Sequence, residues 1–502
     1  MMLLEMASSG FGDRVALGPR DGSGLTYQEL FNRAGAAAAF FEGAGIERVT
    51  LVDVSSPALP IALFGAAWAG KPFAPLNYRL TAEELRRLAQ QVAPTVTVCE
   101  DQAQPKLFDL PGVQPVRREE FLSAITDANV RAPEWGMDPD EVAILLFTSG
   151  TTGAPKAAVL RHKHLVSYIF GSVEFMGADE DEATLISVPP YHIAGMAAIL
   201  SSVYAGRRIV QLPTFDAAAW VELVQKERVT HAMVVPTMLA RIVDHLVSEG
   251  IRSLPTLRSI SYGGGKMPQS VIEQALDLLP NADFVNAYGL TETSSTICIL
   301  GPEEHRAARA SDDPAVRRRL TSVGKPLPTV ELSIRDEDGR EVPPGERGEI
   351  WVRGEQVSGE YLGKGSQVNA DGWFPTKDGG YVDEEGYLYL EGRIDDIIIR
   401  GGENISPGEI EETLLAHPAV ADAAAIGLPS RQWGETVGAV VVKAKGAEVS
   451  EDELRDWVTS HLRSSRTPEH IVFRDELPYN DMGKLLRRVL KAELASLGDT
   501  DG

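Results

Sequence analysis

Between residues 26 and 286 short apolar runs alternate with helical patterns, and that alternation leaves few architectures open. Strand-like runs fall at 49–54, 95–99, 184–188, 208–211, 231–235, 259–262 and 283–286. Helical spacing covers 26–43, 58–69, 81–92, 217–227 and 269–279. Thr26 with Glu29 and Thr81 with Glu84 have the spacing of capping boxes, which start helices by satisfying their first free amides. Strands that alternate with helices on this scale build parallel sheets covered by helices. The expected fold class is α/β, with a large N-terminal domain of helix-covered β-sheets. At 502 residues the chain exceeds what one core usually holds, so further domains are expected.

The pattern changes past residue 323. Residues 323–390 are rich in Gly and Pro, with short strand-like runs at 330–334, 348–352 and 387–390, which predicts a small β-rich subdomain. From Ile397 onward a helix–strand–strand–helix–strand–helix series predicts a small α+β C-terminal domain. Ser406, Pro407 and Glu409 open its first helix as N-cap, N1 and N3, and Ser450 with Glu453 caps a later one. The boundary is placed so that 1–394 and 395–502 form the two domains.

One loop carries chemistry. The apolar run 144–147 leads straight into Thr148, Ser149, Gly150, Thr151, Thr152, Gly153, Ala154, Pro155 and Lys156. Glycines let backbone amides approach a ligand closely, and amides with a lysine neutralise phosphate charge. This is not the Walker-type loop of GTPases: two residues separate Gly153 from Lys156, and Ala157 follows the lysine where a Ser or Thr is required.

Charge narrows the partners. The formal net charge is −24, so a basic nucleic-acid-binding surface is not expected, and anionic lipid is repelled. An anionic substrate has to meet local positive groups rather than the global field. The two cysteines, Cys99 and Cys298, lack metal-ligand spacing and read as buried apolar residues. The chain has no window of eighteen uncharged apolar residues and no basic-then-apolar start, so a cytoplasmic protein without an integral membrane segment is expected.

Further segments complete a constellation: Pro190-Tyr191-His192-Ile193-Ala194-Gly195, Tyr288-Gly289-Leu290-Thr291-Glu292-Thr293, Thr376-Lys377-Asp378, Gly392-Arg393-Ile394-Asp395-Asp396, and Gly483-Lys484. With TSGTTGAPK, YGLTET, GRIDDIIIRGGENISPGEIE and the terminal GK in this order, the chain resembles the adenylate-forming superfamily over nearly its whole length. RGGENISPGEIE is most similar to the acyl- and aryl-CoA synthetase branch.

The resemblance implies a ligase. A carboxylate attacks the α-phosphate of ATP to give an acyl-adenylate and pyrophosphate, and the CoA thiol then displaces AMP. ATP and Mg²⁺ are the implied cofactors, with CoA as co-substrate. Thr148, Ser149, Gly150, Thr151, Thr152, Gly153 and Lys156 would hold the β- and γ-phosphates. Thr291 would contact the α-phosphate, and Glu292 would ligate Mg²⁺. Tyr288 would stack on adenine against a wall of Gly263, Gly264 and Gly265. Asp378 would accept from the ribose hydroxyls beside Arg393, and Lys484 would bridge the substrate carboxylate and the α-phosphate. His192 would gate an acyl pocket drawn also from Tyr191, Gly195, Tyr262, Gly263, Gly289 and Thr296, where the glycines leave room for a flat ring or an extended chain.

The superfamily also rotates its C-terminal domain between the half-reactions, with Asp395 as hinge and Gly401, Gly402 and Glu403 presented to the thiol tunnel afterwards. Two positions depart from the superfamily pattern. Ala157 and Lys377 stand where glycine is usual, and Lys377 either perturbs Asp378 or adds charge near the nucleotide. Two other acceptors remain open: an amine, giving an amide, and a carrier-protein thiol. A CoA acceptor calls for local cations, for which Arg400, Arg431, Lys443, Arg463 and Arg466 are candidates, although Ser465-Arg466 replaces the superfamily's Tyr-Lys pair. A homodimer is the expectation by analogy.

Overall fold

The computed structural model describes residues 1–126, 134–148, 155–480 and 483–498. It is a mixed α/β chain that divides into two compact units, Met1–Glu331 with Val352–Phe374, and Leu332–Trp351 with Pro375–Gly502.

The first unit holds two large sheets. In the nine-stranded sheet, Ala183–Ile186, Arg208–Gln211, His231–Val234, Ser259–Gly263 and Asp283–Leu290 run parallel, as the alternation predicts. Strand Ala183–Ile186 lies between Arg208–Gln211 on one side and His231–Val234 on the other. The connection after Ala183–Ile186 therefore leads one way across the sheet, and the connection after His231–Val234 leads the other way. In open parallel sheets, the carboxyl ends of the strands at such a reversal are the place where ligands bind. Helix Ile193–Ala205 starts there, with His192 as its N-cap residue.

In the eight-stranded sheet, Phe73–Pro75, Arg48–Val52, Thr95–Cys99 and Val113–Arg117 are parallel to one another. The capping boxes at Thr26–Glu29 and Thr81–Glu84 form as predicted, each with the N-cap hydroxyl accepting from the N3 amide. The strand leading into the glycine-rich loop spans Val142–Thr148 and pairs antiparallel with Lys156–Arg161, so Thr148 stands opposite Lys156. No helix begins directly after the loop; His162–Ser172 starts only beyond the return strand. Ala157 lies on that strand opposite Phe147 and is buried, so its methyl packs in the sheet.

Most of a four-stranded sheet, Glu331–Arg335, Gly348–Arg353, Phe374–Val382 and Leu388–Arg393 in that order, belongs to the second unit. A further sheet is built from Ile398–Arg400, Glu403–Ile405, Val420–Ser430, Gly434–Lys443 and His470–Arg474. Helices Pro407–Leu415, Glu451–His461 and Arg487–Gly498 complete the predicted series. Ser450 and Glu453 form their capping box. Ser406 does not cap through its side chain: its hydroxyl donates to the Glu391 carbonyl at 3.0 Å. Glu409 is drawn instead to Arg466.

Candidate active site

Lys156 and Glu292 come from different sheets of the first unit and meet on one tyrosine. Glu292 is buried on the short turn Thr291–Thr293 that ends strand Asp283–Leu290. Tyr361 donates its hydroxyl to Glu292 Oε1 at 2.6 Å, and its ring centroid lies 5.6 Å from Lys156 Nζ, within cation–π range. The chain around Tyr361 fastens the same turn. The amides of Ser358 and Gly359 donate to the Glu292 carbonyl at 2.8 and 3.1 Å. The buried Gln356 side chain donates to the Thr293 and Thr296 carbonyls, and Ser294 Oγ donates to the Gln356 carbonyl. Ser358 Oγ reaches the Val159 carbonyl on the lysine's strand. Residues 356–361 thus strap the two sheets together.

Sequence reasoning missed Gln356, Ser358 and Tyr361. Tyr361 lies 69 residues from Glu292, and its neighbours read as an ordinary turn. Thr148 is half-buried, and its hydroxyl sits 3.4 Å from the Lys156 carbonyl. Ser149, Gly150, Thr151, Thr152 and Gly153 lie outside the described residues.

The expected adenine wall occupies the carboxyl ends of adjacent strands, with Tyr262 opposite Asn286 and Gly263 opposite Ala287. Tyr288 is buried opposite Cys298, and Gly289 stands opposite the half-buried Thr296. The glycines have structural reasons. A Cβ on Gly263 would lie 2.1 Å from the Ala287 carbonyl oxygen, and one on Gly289 would lie 1.7 Å from that of Ser295. Gly264 takes φ +83°, a left-handed conformation open to glycine without a steric penalty, and it is exposed with Gly265. Tyr262 is fully buried, its hydroxyl 2.8 Å from His305 Nε2. Burial pushes the Tyr262 phenol up and the His305 imidazole down, so both are neutral at pH 7. Tyr191 and His192 lie between strand Ala183–Ile186 and helix Ile193–Ala205, with ring centroids 4.6 Å apart, and Tyr78 packs on Tyr191 at 5.8 Å. Gly195 is buried one turn into the helix that follows. Burial holds Cys99 up at about 12 and raises Cys298 as well, which rules out a resting thiolate at either.

In the second unit Asp378 and Arg393 are cross-strand partners. Lys377 takes φ +64°, which explains the usual glycine there. Its ammonium lies 3.5 Å from Glu349 Oε1, and its amide donates to the same oxygen. Lys484 is exposed on a loop bridged by Tyr479 and Leu485, where its amide donates to Asn480 Oδ1 at 2.9 Å. Asp395 is exposed. The next residue, Asp396, lies 3.7 Å from Arg487, which also pairs with Glu411 and donates to the Ala425 carbonyl.

Gly401 and Gly402 take positive φ in the hairpin that presents Glu403. Arg466 holds both Glu403 and Glu409, and its hydrogen bond keeps the Glu403 carboxyl below the usual range. Of the five suggested CoA-facing cations, Arg400 is engaged by Glu469 and the Ser465 carbonyl, Arg466 by its two glutamates, and Lys443 by Glu448 and the Phe473 ring.

The AMP-binding enzyme model matches residues 4–362, and its C-terminal domain model matches 409–484. The chain belongs to the AMP-binding enzyme family. Among relatives of this AMP-binding enzyme, a fatty acid–[acyl-carrier-protein] ligase, ScoC, of Streptomyces coeruleorubidus is 34% identical, across 94% of this chain and 92% of that protein. A feruloyl-CoA synthase of an Amycolatopsis species is 32% identical, across 93% of each. The solved o-succinylbenzoate CoA synthetase of Bacillus subtilis, in complex with its acyl-adenylate intermediate, superposes with a TM-score of 0.84 at 29% identity, covering 97% of both chains.

The family implies magnesium. Among the described residues of this AMP-binding enzyme no three His, Cys, Asp or Glu side chains gather into a metal site. Glu292 supplies a single buried carboxylate with one oxygen already bonded. That donor set fits Mg²⁺ brought in with a nucleotide, because Mg²⁺ takes one or two carboxylates and completes its shell with phosphate and water.

Proposed function

We propose that this enzyme is an acyl- or aryl-CoA ligase that activates a carboxylic acid with ATP and transfers it to CoA. The observation that carries the reading is the joining of Lys156 and Glu292 through Tyr361, which sets a phosphate cation and a metal carboxylate side by side.

A carboxylic acid of pKa near 4 is already ionised at pH 7, so the first step needs no general base. The barrier is repulsion between that anion and the triphosphate, and it is lowered by positioning and positive charge. Lys156 neutralises the outer phosphates together with the loop Thr148–Gly153. Thr291 orients the α-phosphate, and Lys484 holds the attacking carboxylate against it. The carboxylate oxygen bonds to the α-phosphorus as the bond to the pyrophosphate oxygen breaks. Glu292 would hold the Mg²⁺ that comes with the nucleotide, which would supply charge neutralisation on the phosphates. Tyr288 and Gly263–Gly265 enclose adenine, and Asp378 with Arg393 holds the ribose. The acyl group enters beside Tyr191 and His192. Residues 395–502 then pivot at Asp395, bringing Gly401, Gly402 and Glu403 to the thiol. The CoA sulfur bonds to the acyl carbon as the carbon–oxygen bond to AMP breaks.

A carrier-protein thiol is the second reading. It is favoured by the internal engagement of Arg400, Arg466 and Lys443, cations that a CoA nucleotide would otherwise claim. No helix among the described residues is long and apolar enough to cross a membrane. A cytoplasmic enzyme working as a homodimer is proposed by analogy with the family.

The test is mass spectrometry with Mg·ATP and a mixed panel of aliphatic and aromatic acids, run with CoA, with a phosphopantetheinylated carrier protein, with amines and with no acceptor. AMP with an acyl-CoA supports the reading. A loaded carrier protein or an amide in place of the thioester reassigns the acceptor.

A further inference from the structure

We infer that Tyr361 is a positioning residue that selects which divalent cation accompanies the nucleotide. The inference rests on the proposed reading of Glu292 as the metal carboxylate. A free carboxylate offers two oxygens and can bind a cation through one or both. Here Oε1 of Glu292 already accepts the Tyr361 hydroxyl at 2.6 Å. That bond takes one of the two lone pairs on Oε1, which leaves Oε2 the less encumbered oxygen for a metal.

The residue also has little freedom to turn. Its side chain is buried, and its carbonyl is held by two amides from Ser358 and Gly359. Gln356, fully buried, ties down the carbonyls of Thr293 and Thr296 on the same turn. The Tyr361 hydroxyl and its own backbone strap therefore act on Glu292 together.

One-oxygen coordination discriminates between cations. Mg²⁺ is small, demands octahedral geometry and takes carboxylate oxygens singly. Ca²⁺ is larger and readily takes both oxygens of one carboxylate. A hydroxyl fixed on Oε1 competes with the two-oxygen mode that Ca²⁺ favours and leaves the one-oxygen mode of Mg²⁺ unopposed. The ring serves the second partner. Its face lies 5.6 Å from Lys156 Nζ, a contact that holds the ammonium without neutralising it.

Calorimetric titration of the full chain with Mg·ATP and with Ca·ATP, without carboxylic acid, separates these effects. Wild type is expected to bind Mg·ATP more tightly. Tyr361→Phe keeps the ring and removes the hydroxyl, and Tyr361→Met removes both at similar volume, so if one fails to fold the other carries the comparison. Each is expected to narrow the Mg²⁺-over-Ca²⁺ preference about tenfold, the size of one hydrogen bond to a charged group. A preference unchanged from wild type in a folded variant overturns the inference while leaving the nucleotide site intact. A wild type that binds neither complex overturns the reading of Glu292 and this inference with it.

Discussion

Arg393 Nη1 donates to Asp378 Oδ1 at 2.9 Å across two paired strands, and the same nitrogen donates to the Thr376 carbonyl at 2.9 Å. The hairpin between them brings two distant motif residues into one contact. Arg393→Ala should free the Asp378 carboxylate and weaken ATP binding about tenfold, the loss of one charged hydrogen bond. Calorimetry would show it; an unchanged dissociation constant would separate Asp378 from the nucleotide.

Lys377 offers a test of backbone strain. A left-handed conformation costs a residue with a Cβ ~1–2 kcal/mol, and a β-branched side chain tolerates it least. Lys377 already bears that cost, so Lys377→Val should lose only the further ~1 kcal/mol of crowding at a branched Cβ in urea denaturation. Lys377→Gly should be at least as stable as wild type. Because the Lys377 ammonium is turned to Glu349, Lys377→Gly should also leave ATP affinity unaltered.

Gly263 and Gly289 are held by their neighbours' carbonyls. Gly263→Ala and Gly289→Ala should each cost about 1–3 kcal/mol through forced backbone displacement. Melting curves without ligand would read this directly. A stability loss absent without ATP but present with it would mean that the glycines make room for a ligand instead.

His164 sets an acid limit. Burial, helped by Lys163 and Arg161, lowers its imidazole to about 4, and Nδ1 accepts the Arg161 amide at 3.2 Å. The folded state thus binds this proton less readily than the unfolded state. Stability present above about pH 6.5 falls as pH drops toward 4, by up to ~1.4 kcal/mol per pH unit. His164→Gln should flatten the denaturation midpoint between pH 6.5 and 5; a parallel slope in the variant would contradict the assignment.

The two halves of the reaction should separate by residue. Lys484→Ala should abolish adenylate formation in single-turnover assays while leaving transfer from a supplied acyl-adenylate. Asp395→Pro should do the reverse, because proline fixes φ where a pivot must change it. Equal loss of both half-reactions in Asp395→Pro would refute the hinge.

The alternation of strands and helices was readable from residue order because each apolar run is short and each cap is local: Thr26, Thr81 and Ser450 act on amides three residues away. The antiparallel return of Lys156–Arg161 was not readable, since its apolar residues are as compatible with a helix as with a strand. The site divides the same way. Glu292, Lys156 and Asp378 announce themselves by motif. Tyr361 and Gln356 do not, because they act through partners dozens of residues away. Ser406 shows the limit of local rules: a hydroxyl in cap position was captured by the Glu391 carbonyl from another strand.

Arg487 follows Lys484 by three residues and grips Asp396, the neighbour of the proposed pivot, while Glu411 and the Ala425 carbonyl grip Arg487. The lysine and its fulcrum thus belong to one stiff lever. If Lys484 serves the α-phosphate as proposed, a swing about Asp395 would carry the ammonium away together with its fulcrum, as one body. The two chemical steps would then be kept apart in time by mechanics, with no need for a sensor of which step has finished.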